Sequence, residues 1–119
     1  MKCKIALNNG KAGGLFTTKG DLNFGTDGFS LMYTLDGDRC VLRYSNGEIL
    51  QERRGSAPMI MRFKEGEETL CKLGLGASSG SFPLYTDKIE VVTGETAVEV
   101  QLNYTCCGEN VTLSIKAKS

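Results

Sequence analysis

The 119-residue sequence predicts an all-β chain: one antiparallel up-and-down barrel, closed or nearly closed, of about eight to ten strands. Three observations carry that prediction. Apolar residues recur at every second position through most of the chain, the period of a strand with one face in a core and the other in water. Gly, Asn and Asp interrupt these runs at short, fairly even intervals, as hairpin turns require. No segment repeats its apolar residues with a helical period over a useful length. A single layer of this size cannot cover its own apolar face, so it closes into a barrel or folds into a sandwich. Hairpin links dominate and nothing reads as a long crossover, which favours the barrel.

The clearest alternation lies in the C-terminal third. Val98, Val100, Leu102 and Tyr104 share one parity, a turn follows at Cys106-Cys107-Gly108-Glu109, and Val111, Leu113, Ile115 and Ala117 share the next. From the N-terminus, residues 2–7 alternate with Cys3, Ile5 and Leu7 on one face, and Asn9-Gly10 reads as a hairpin turn. Residues 13–18 read as a second strand, Lys19-Gly20-Asp21 as a turn, and residues 21–25 as a short edge strand. After Asp27-Gly28, the apolar face Phe29, Leu31, Tyr33 and Leu35 leads into Asp36-Gly37-Asp38, a strong hairpin signal. The return strand sets Cys40, Leu42 and Tyr44 against Arg39, Val41 and Arg43, and Asn46-Gly47 turns it. Residues 48–54, 57–64 and 69–75 read as three more strands, 76–80 as a loop, and 81–86 as a strand that precedes Ile89. Pro83 makes that last segment an edge strand, a bulge or a kink.

The chain is long enough for one core and too short for two, so residues 1–119 form a single domain. Lys plus Arg and Asp plus Glu are both 14, so the formal charge is zero. A balanced chain has no overall electrostatic pull toward nucleic acid or an anionic membrane, and neither is expected as a partner. The opening apolar stretch Ile5-Ala6-Leu7 is too short for a secretory signal, and no run reaches transmembrane length, so a cytoplasmic location is the default. Five cysteines (Cys3, Cys40, Cys71, Cys106 and Cys107) fit no secreted disulfide framework and no C-x-x-C pattern. Free thiols in a reducing compartment are expected, with a redox role for the Cys106-Cys107 pair as the alternative.

There is no histidine. That removes Ser-His-Asp and Cys-His nucleophile systems, imidazole acid–base chemistry and His-ligated zinc or haem. No metal site, cofactor or catalytic group is expected, and the sequence points away from an enzyme. Gly74 to Gly80 lacks both G-x-G-x-x-G spacing and the Gly-Lys-Ser/Thr of a phosphate loop, and no helix can start at Ser81-Phe82-Pro83, so it reads as an inter-strand turn. Asn103-Tyr104-Thr105 and Asn110-Val111-Thr112 match the glycosylation pattern by chance.

Gln51-Glu52-Arg53-Arg54-Gly55 carries the most chemistry. Either strand parity turns an arginine inward: Leu50 brings Glu52 and Arg54 with it, whereas Ile49 brings Gln51 and Arg53. Buried arginines need a partner, and Glu52 is the obvious local one. The choices are a rim strand whose charges reach water, an internal Arg–Glu plug, or an anion hook at a cavity mouth built on the planar fork of Arg53 or Arg54. Arg39, Arg43, Arg53, Arg54 and Arg62 form an outer basic stripe if their strands are neighbours, with Tyr33, Tyr44 or Phe63 beside it. Zero net charge and interspersed acids argue against reading it as a nucleic-acid surface.

From Arg54-Gly55 onward the order of features resembles a known family. The residues are Phe63 and Gly66, Gly80 through Thr86, and Leu102-Asn103-Tyr104 with Gly108. They are similar to the YwiB-like β-barrel family of Gram-positive bacteria, placed among the calycins with lipocalins and fatty-acid-binding proteins. The N-terminal half departs from it, with Tyr33-Thr34-Leu35 where the family leads one to look for a tyrosine followed closely by a glutamate. The resemblance implies a closed antiparallel barrel in a cytosolic bacterial protein, and it carries no activity or functional residues.

Two functional expectations follow. The first is a module binding a small apolar or amphipathic ligand inside the barrel, its head on Arg53 or Arg54 with Tyr33 or Tyr104, its tail against Met59, Met61, Val100 and Leu102. The second is a filled barrel serving structure or protein interaction, self-associating as a homodimer through the edge at residues 81–86.

Overall fold

The computed structural model describes residues 1–9, 14–56, 58–75 and 78–119. They form ten strands: β1 (Lys2–Asn9), β2 (Gly14–Phe24), β3 (Gly28–Leu35), β4 (Asp38–Ser45), β5 (Glu48–Arg54), β6 (Met59–Lys64), β7 (Glu68–Leu75), β8 (Ser78–Thr93), β9 (Ala97–Cys106) and β10 (Glu109–Lys118). Each strand pairs with its neighbours in sequence, and β1 with β10 closes the barrel, every pairing antiparallel. The expected all-β, up-and-down barrel is what the chain forms. No helix among the described residues is long and apolar enough to cross a membrane.

The alternation read from the sequence sets the inner face. Ile5, Leu31, Leu42, Phe63, Leu102 and Ile115, one from each of six strands, are all buried to within 1%. Lysines and arginines on the opposite parity stand in water. Asp36 and Asn46 adopt positive φ (49° and 52°) with Gly37 and Gly47 behind them, so the two tightest turns use the residue types that tolerate that conformation.

Two segmentations differ from the sequence reading. Lys19-Gly20-Asp21 is not a turn: β2 runs unbroken through it. Gly20 stands there because a Cβ would collide with the Met32 carbonyl oxygen and Ile5 Cδ1, so the glycine allows two strands to approach. Residues 78–80, read as loop, belong to β8, paired as Gly74↔Ser79 and Leu73↔Gly80. β8 also continues without a break to Thr93, with an irregularity between Thr86 and Lys88 in place of a turn. The centres of two expected turns, at Gly10 and at residues 76–77, lie outside the described residues.

β8 changes neighbours along its length. It pairs with β7 through residues 78–85, and with β9 only from Leu84 onward. Residues 78–83 therefore have a partner strand on one side, and Pro83, which has no N–H to donate, falls inside that half-paired stretch. β6 in turn pairs with β7 only from Met59↔Leu73 to Met61↔Cys71. The wall is thinnest where these strands meet the link after β5.

Candidate functional site

The register of β5 settles which arginine turns inward. Ile49, Gln51 and Arg53 stand opposite Tyr44, Leu42 and Cys40, of which Leu42 and Cys40 are buried, so Arg53 faces the interior and Glu52 and Arg54 face out. The partner of Arg53 is not Glu52. Arg53 Nε donates to Asp38 Oδ2 at 2.8 Å, and Asp38 is only 3% exposed. Glu52 lies on the outer face, where Arg54 and Arg43 approach it at 3.3 and 3.9 Å. Asp38 shares the parity of Cys40, Leu42 and Tyr44. An acid at the head of an apolar alternation is the signal that pointed to it, hidden within a turn motif.

The chain after Arg53 wraps that carboxylate. The Ser56 backbone N–H donates to Asp38 Oδ1 at 2.8 Å, and the Ser56 hydroxyl lies within 3.1 Å of the same oxygen. Gly55 makes the wrap possible: its φ is 136°, and a Cβ there would collide with Asp38 Oδ1. Arg53-Arg54-Gly55-Ser56 thus forms a collar around one buried acid. The hydrogen bond to Asp38 raises the Arg53 pKa further, so its charge is fixed. The pair is a charge-assisted bond in a partly dry setting, stronger than a surface ion pair.

Further polar groups line the same inner layer. Tyr33 stands opposite Cys40, which stands opposite Arg53, which stands opposite Met59. Burial, with the Cys40 thiol beside it, pushes the Tyr33 hydroxyl up to about 12, and Gln51 Nε2 donates to that hydroxyl at 3.4 Å. Burial likewise raises the Cys40 thiol, against the nearby Arg53 charge.

Beside Arg53 the thin wall opens into a cleft of about 620 Å³. Pro58, Met59, Ile60 and Leu73 supply its apolar surface, Arg53, Arg54 and Lys72 its cations, and Glu52 its acid. Arg53, Arg54 and Met59 therefore meet at one place. Tyr33 shares their layer two strands away. Met61 is packed in the core with Val100 and Leu102. Tyr104 lies elsewhere, its ring edge-on to Phe63 at 5.0 Å. The arginine stripe is also divided. Arg39 and Arg54 are in direct register on the outer face and Arg43 and Arg62 are exposed, but Arg53 turns inward, as do Tyr33 and Phe63. The outer stripe thus lacks the aromatic neighbours expected of it. The Cys106 and Cys107 sulfurs lie 3.8 Å apart at the β9–β10 turn, and all five cysteines are free.

These features define the class: a small closed antiparallel barrel with a packed interior, an internal Arg–Asp pair and a charged cleft at its rim. The chain belongs to the family described as a domain of unknown function, DUF1934, whose model matches residues 3–113. In fold it is similar to the crystal structure of the YwiB protein from Bacillus subtilis, with a TM-score of 0.81 over 99% of this chain and 89% of that one. The two are 20% identical, and the likeness speaks for the fold. No curated protein matches the chain.

Proposed function

We propose that the barrel is a binding module for a small amphipathic anion, held at the rim cleft by Arg53. One observation carries this reading: Arg53 is pre-oriented. Asp38 engages its Nε, the collar through Ser56 fixes Asp38, and the side chain still forms part of the cleft wall. The remaining N–H donors of the guanidinium fork suit a carboxylate or phosphate presented edge-on. Arg54 and Lys72 outnumber Glu52 at the mouth, and Pro58, Met59, Ile60 and Leu73 offer a short tail an apolar bed. The cleft volume falls within the roughly 300–1,000 Å³ of small-molecule sites. Compared with a ligand deep in the barrel, this places the tail against Met59 and leaves Met61, Val100 and Leu102 to the core. The five free thiols support a reducing compartment, in keeping with the cytoplasmic expectation.

Native mass spectrometry of freshly purified chain, against the same sample denatured, tests the reading. A small acidic mass that rides with the folded chain, and is lost from Arg53→Met, is the expected result. A bare chain that also shows no chemical-shift change at Met59 or Leu73 on titration with octanoate or octyl phosphate overturns it.

A second reading has its own observation. Residues 78–83 of β8 pair on one side only; Phe82 among them is 38% exposed, and Leu70 opposite Pro83 is 53% exposed. Such an edge suits self-association by strand addition. Sedimentation over a range of concentrations separates the two: a dimer that Phe82→Lys dissolves favours the edge.

A further inference from the structure

Lys118, Lys4 and Lys19 stand directly opposite one another on three neighbouring strands, as Lys4↔Lys118 between β1 and β10 and Lys4↔Lys19 between β1 and β2. All three are exposed, and their parity is outward, since Cys3, Ile5 and Ala117 beside them are buried. Like charges facing each other across strands destabilise a sheet. Among the described residues none of the three has an ion-pair partner. The nearby acids are engaged by other lysines, Asp21 by Lys2 at 3.4 Å and Glu99 by Lys116 at 3.9 Å. The row resumes past Thr34, where Arg39 and Arg54 face each other on β4 and β5. Shallow clefts run beside it, one of about 440 Å³ between Lys4, Lys19, Lys116 and Lys118.

We propose that this lysine row is a docking surface for the phosphate backbone of a double-stranded nucleic acid, bound by charge without reading bases. The span favours that occupant. Strands lie about 4.8 Å apart, so the three lysines span roughly 10 Å. One strand of a duplex presents a phosphate about every 3.4 Å of its axis, so the row meets about three phosphates. Two alternatives fit less well. Single strands are held by stacking on aromatic rings, and the row contains none. A lipid surface calls for several apolar side chains that enter the interface, whereas the outward residues flanking the row are Lys2, Asp21, Ala6, Thr17 and Lys116, with Met32 the one large exposed apolar side chain in the cleft beside Lys19. The zero net charge of the whole chain is an average over a divided surface. Glu65, Glu67 and Glu68 gather at the β6–β7 turn, away from the lysine wall. The proposal is independent of the rim cleft and of any ligand there.

The test is fluorescence anisotropy of a labelled DNA duplex, and of an RNA duplex, titrated with the whole chain at stepped salt. Binding at low salt should weaken with a log–log slope of about −2.7, the value for three phosphates. The variant Lys4→Gln/Lys19→Gln/Lys118→Gln should lose most of that slope and at least tenfold in affinity. Its thermal midpoint should stay level or rise, because facing like charges are gone. Arg43→Gln/Arg62→Gln/Lys88→Gln, with the same change in net charge on other walls, should bind as the parent does. Equal loss in both variants, no duplex binding at low salt, or binding to anionic vesicles in preference to duplex would each overturn the proposal.

Discussion

Arg53 and Asp38 meet at 2.8 Å inside the barrel rim, although 15 positions and a hairpin separate them along the chain. Their side chains are 22% and 4% exposed, so the pair is largely shielded from water. Removing one member should be worse than removing both. Arg53→Met takes the guanidinium away from a buried carboxylate and should cost about 3–5 kcal/mol. Asp38→Ala strands Arg53 and the Ser56 N–H, at about 2–4 kcal/mol. The double variant Arg53→Met/Asp38→Leu should recover much of the loss, and Asp38→Leu alone is its matching single variant. Urea denaturation of the parent, Arg53→Met, Asp38→Leu and the double variant closes the cycle, with a coupling at least as large as the Arg53→Met loss, about 3–5 kcal/mol, expected. Strictly additive losses would show that the contact does not organise the rim.

Gly55 tests the collar separately from the charges. Gly55→Ala places a methyl group at φ 136° and against Asp38 Oδ1. Backbone strain alone should cost about 1–3 kcal/mol, and displacing Asp38 should weaken ligand binding beyond what Ser56→Ala does. Ser56→Ala keeps the backbone N–H that reaches Asp38 and should cost only about 1 kcal/mol. Circular dichroism melts and a ligand titration on both variants read the difference. Parity between them would mean the glycine is there for the turn alone.

What was legible in the sequence was whatever local alternation determines. The β9–β10 hairpin, the inward sets of β1, β3 and β4, and the turns at Gly37 and Gly47 all follow from neighbouring residues. What was not legible depends on strands far apart in the chain. Gly20 resembles a turn residue until the Met32 carbonyl of the next strand is placed against it. Arg53 and Arg54 satisfy either parity equally, and only the register with Cys40 decides between them. Asp38 is concealed by Asp36-Gly37, since an acid after a turn needs no other explanation. The lysine row needs the pairing of β1 with β10, which joins the two ends of the chain and leaves no mark in local sequence.

Stability should fall in alkali. Burial first, then the Cys40 thiol, lifts Tyr33 from its ordinary 10.0 to about 12. Burial first, then Cys107 and Cys71, lifts Cys106 from 9.0 to about 12. In each case the folded chain holds a proton that the unfolded chain releases more readily. Their contribution is therefore full below the unfolded values and is lost as pH climbs from about 9 to about 12. Tyr33→Phe should leave neutral-pH stability nearly unchanged, because the bond from Gln51 is long at 3.4 Å. The same change should flatten the fall between pH 10 and 12 by about 2–3 kcal/mol. Denaturant midpoints across that range, compared with the parent, decide it; matching alkaline arms would place Tyr33 in contact with solvent.

Thr86 is completely buried, and its hydroxyl has no hydrogen-bond partner among the described residues. Its backbone is tied: the Thr86 N–H reaches the Glu67 carbonyl at 3.3 Å, and the Gly66 N–H reaches the Thr86 carbonyl at 2.8 Å. Those bonds pin β8 just before its irregularity at Asp87, so the position is set by main chain and the side chain needs only the right shape. A desolvated hydroxyl without a partner costs about 1–3 kcal/mol. Thr86→Val keeps the shape, removes the orphaned group, and should raise the melting temperature by several degrees. Thr86→Ser keeps the hydroxyl and deletes the methyl, leaving both the orphan and a small void, and should lower stability by about 1 kcal/mol. If valine destabilises and serine does not, the hydroxyl is being used, and the interior beside Tyr104, its partner in register on β9, becomes the place to look for what it holds.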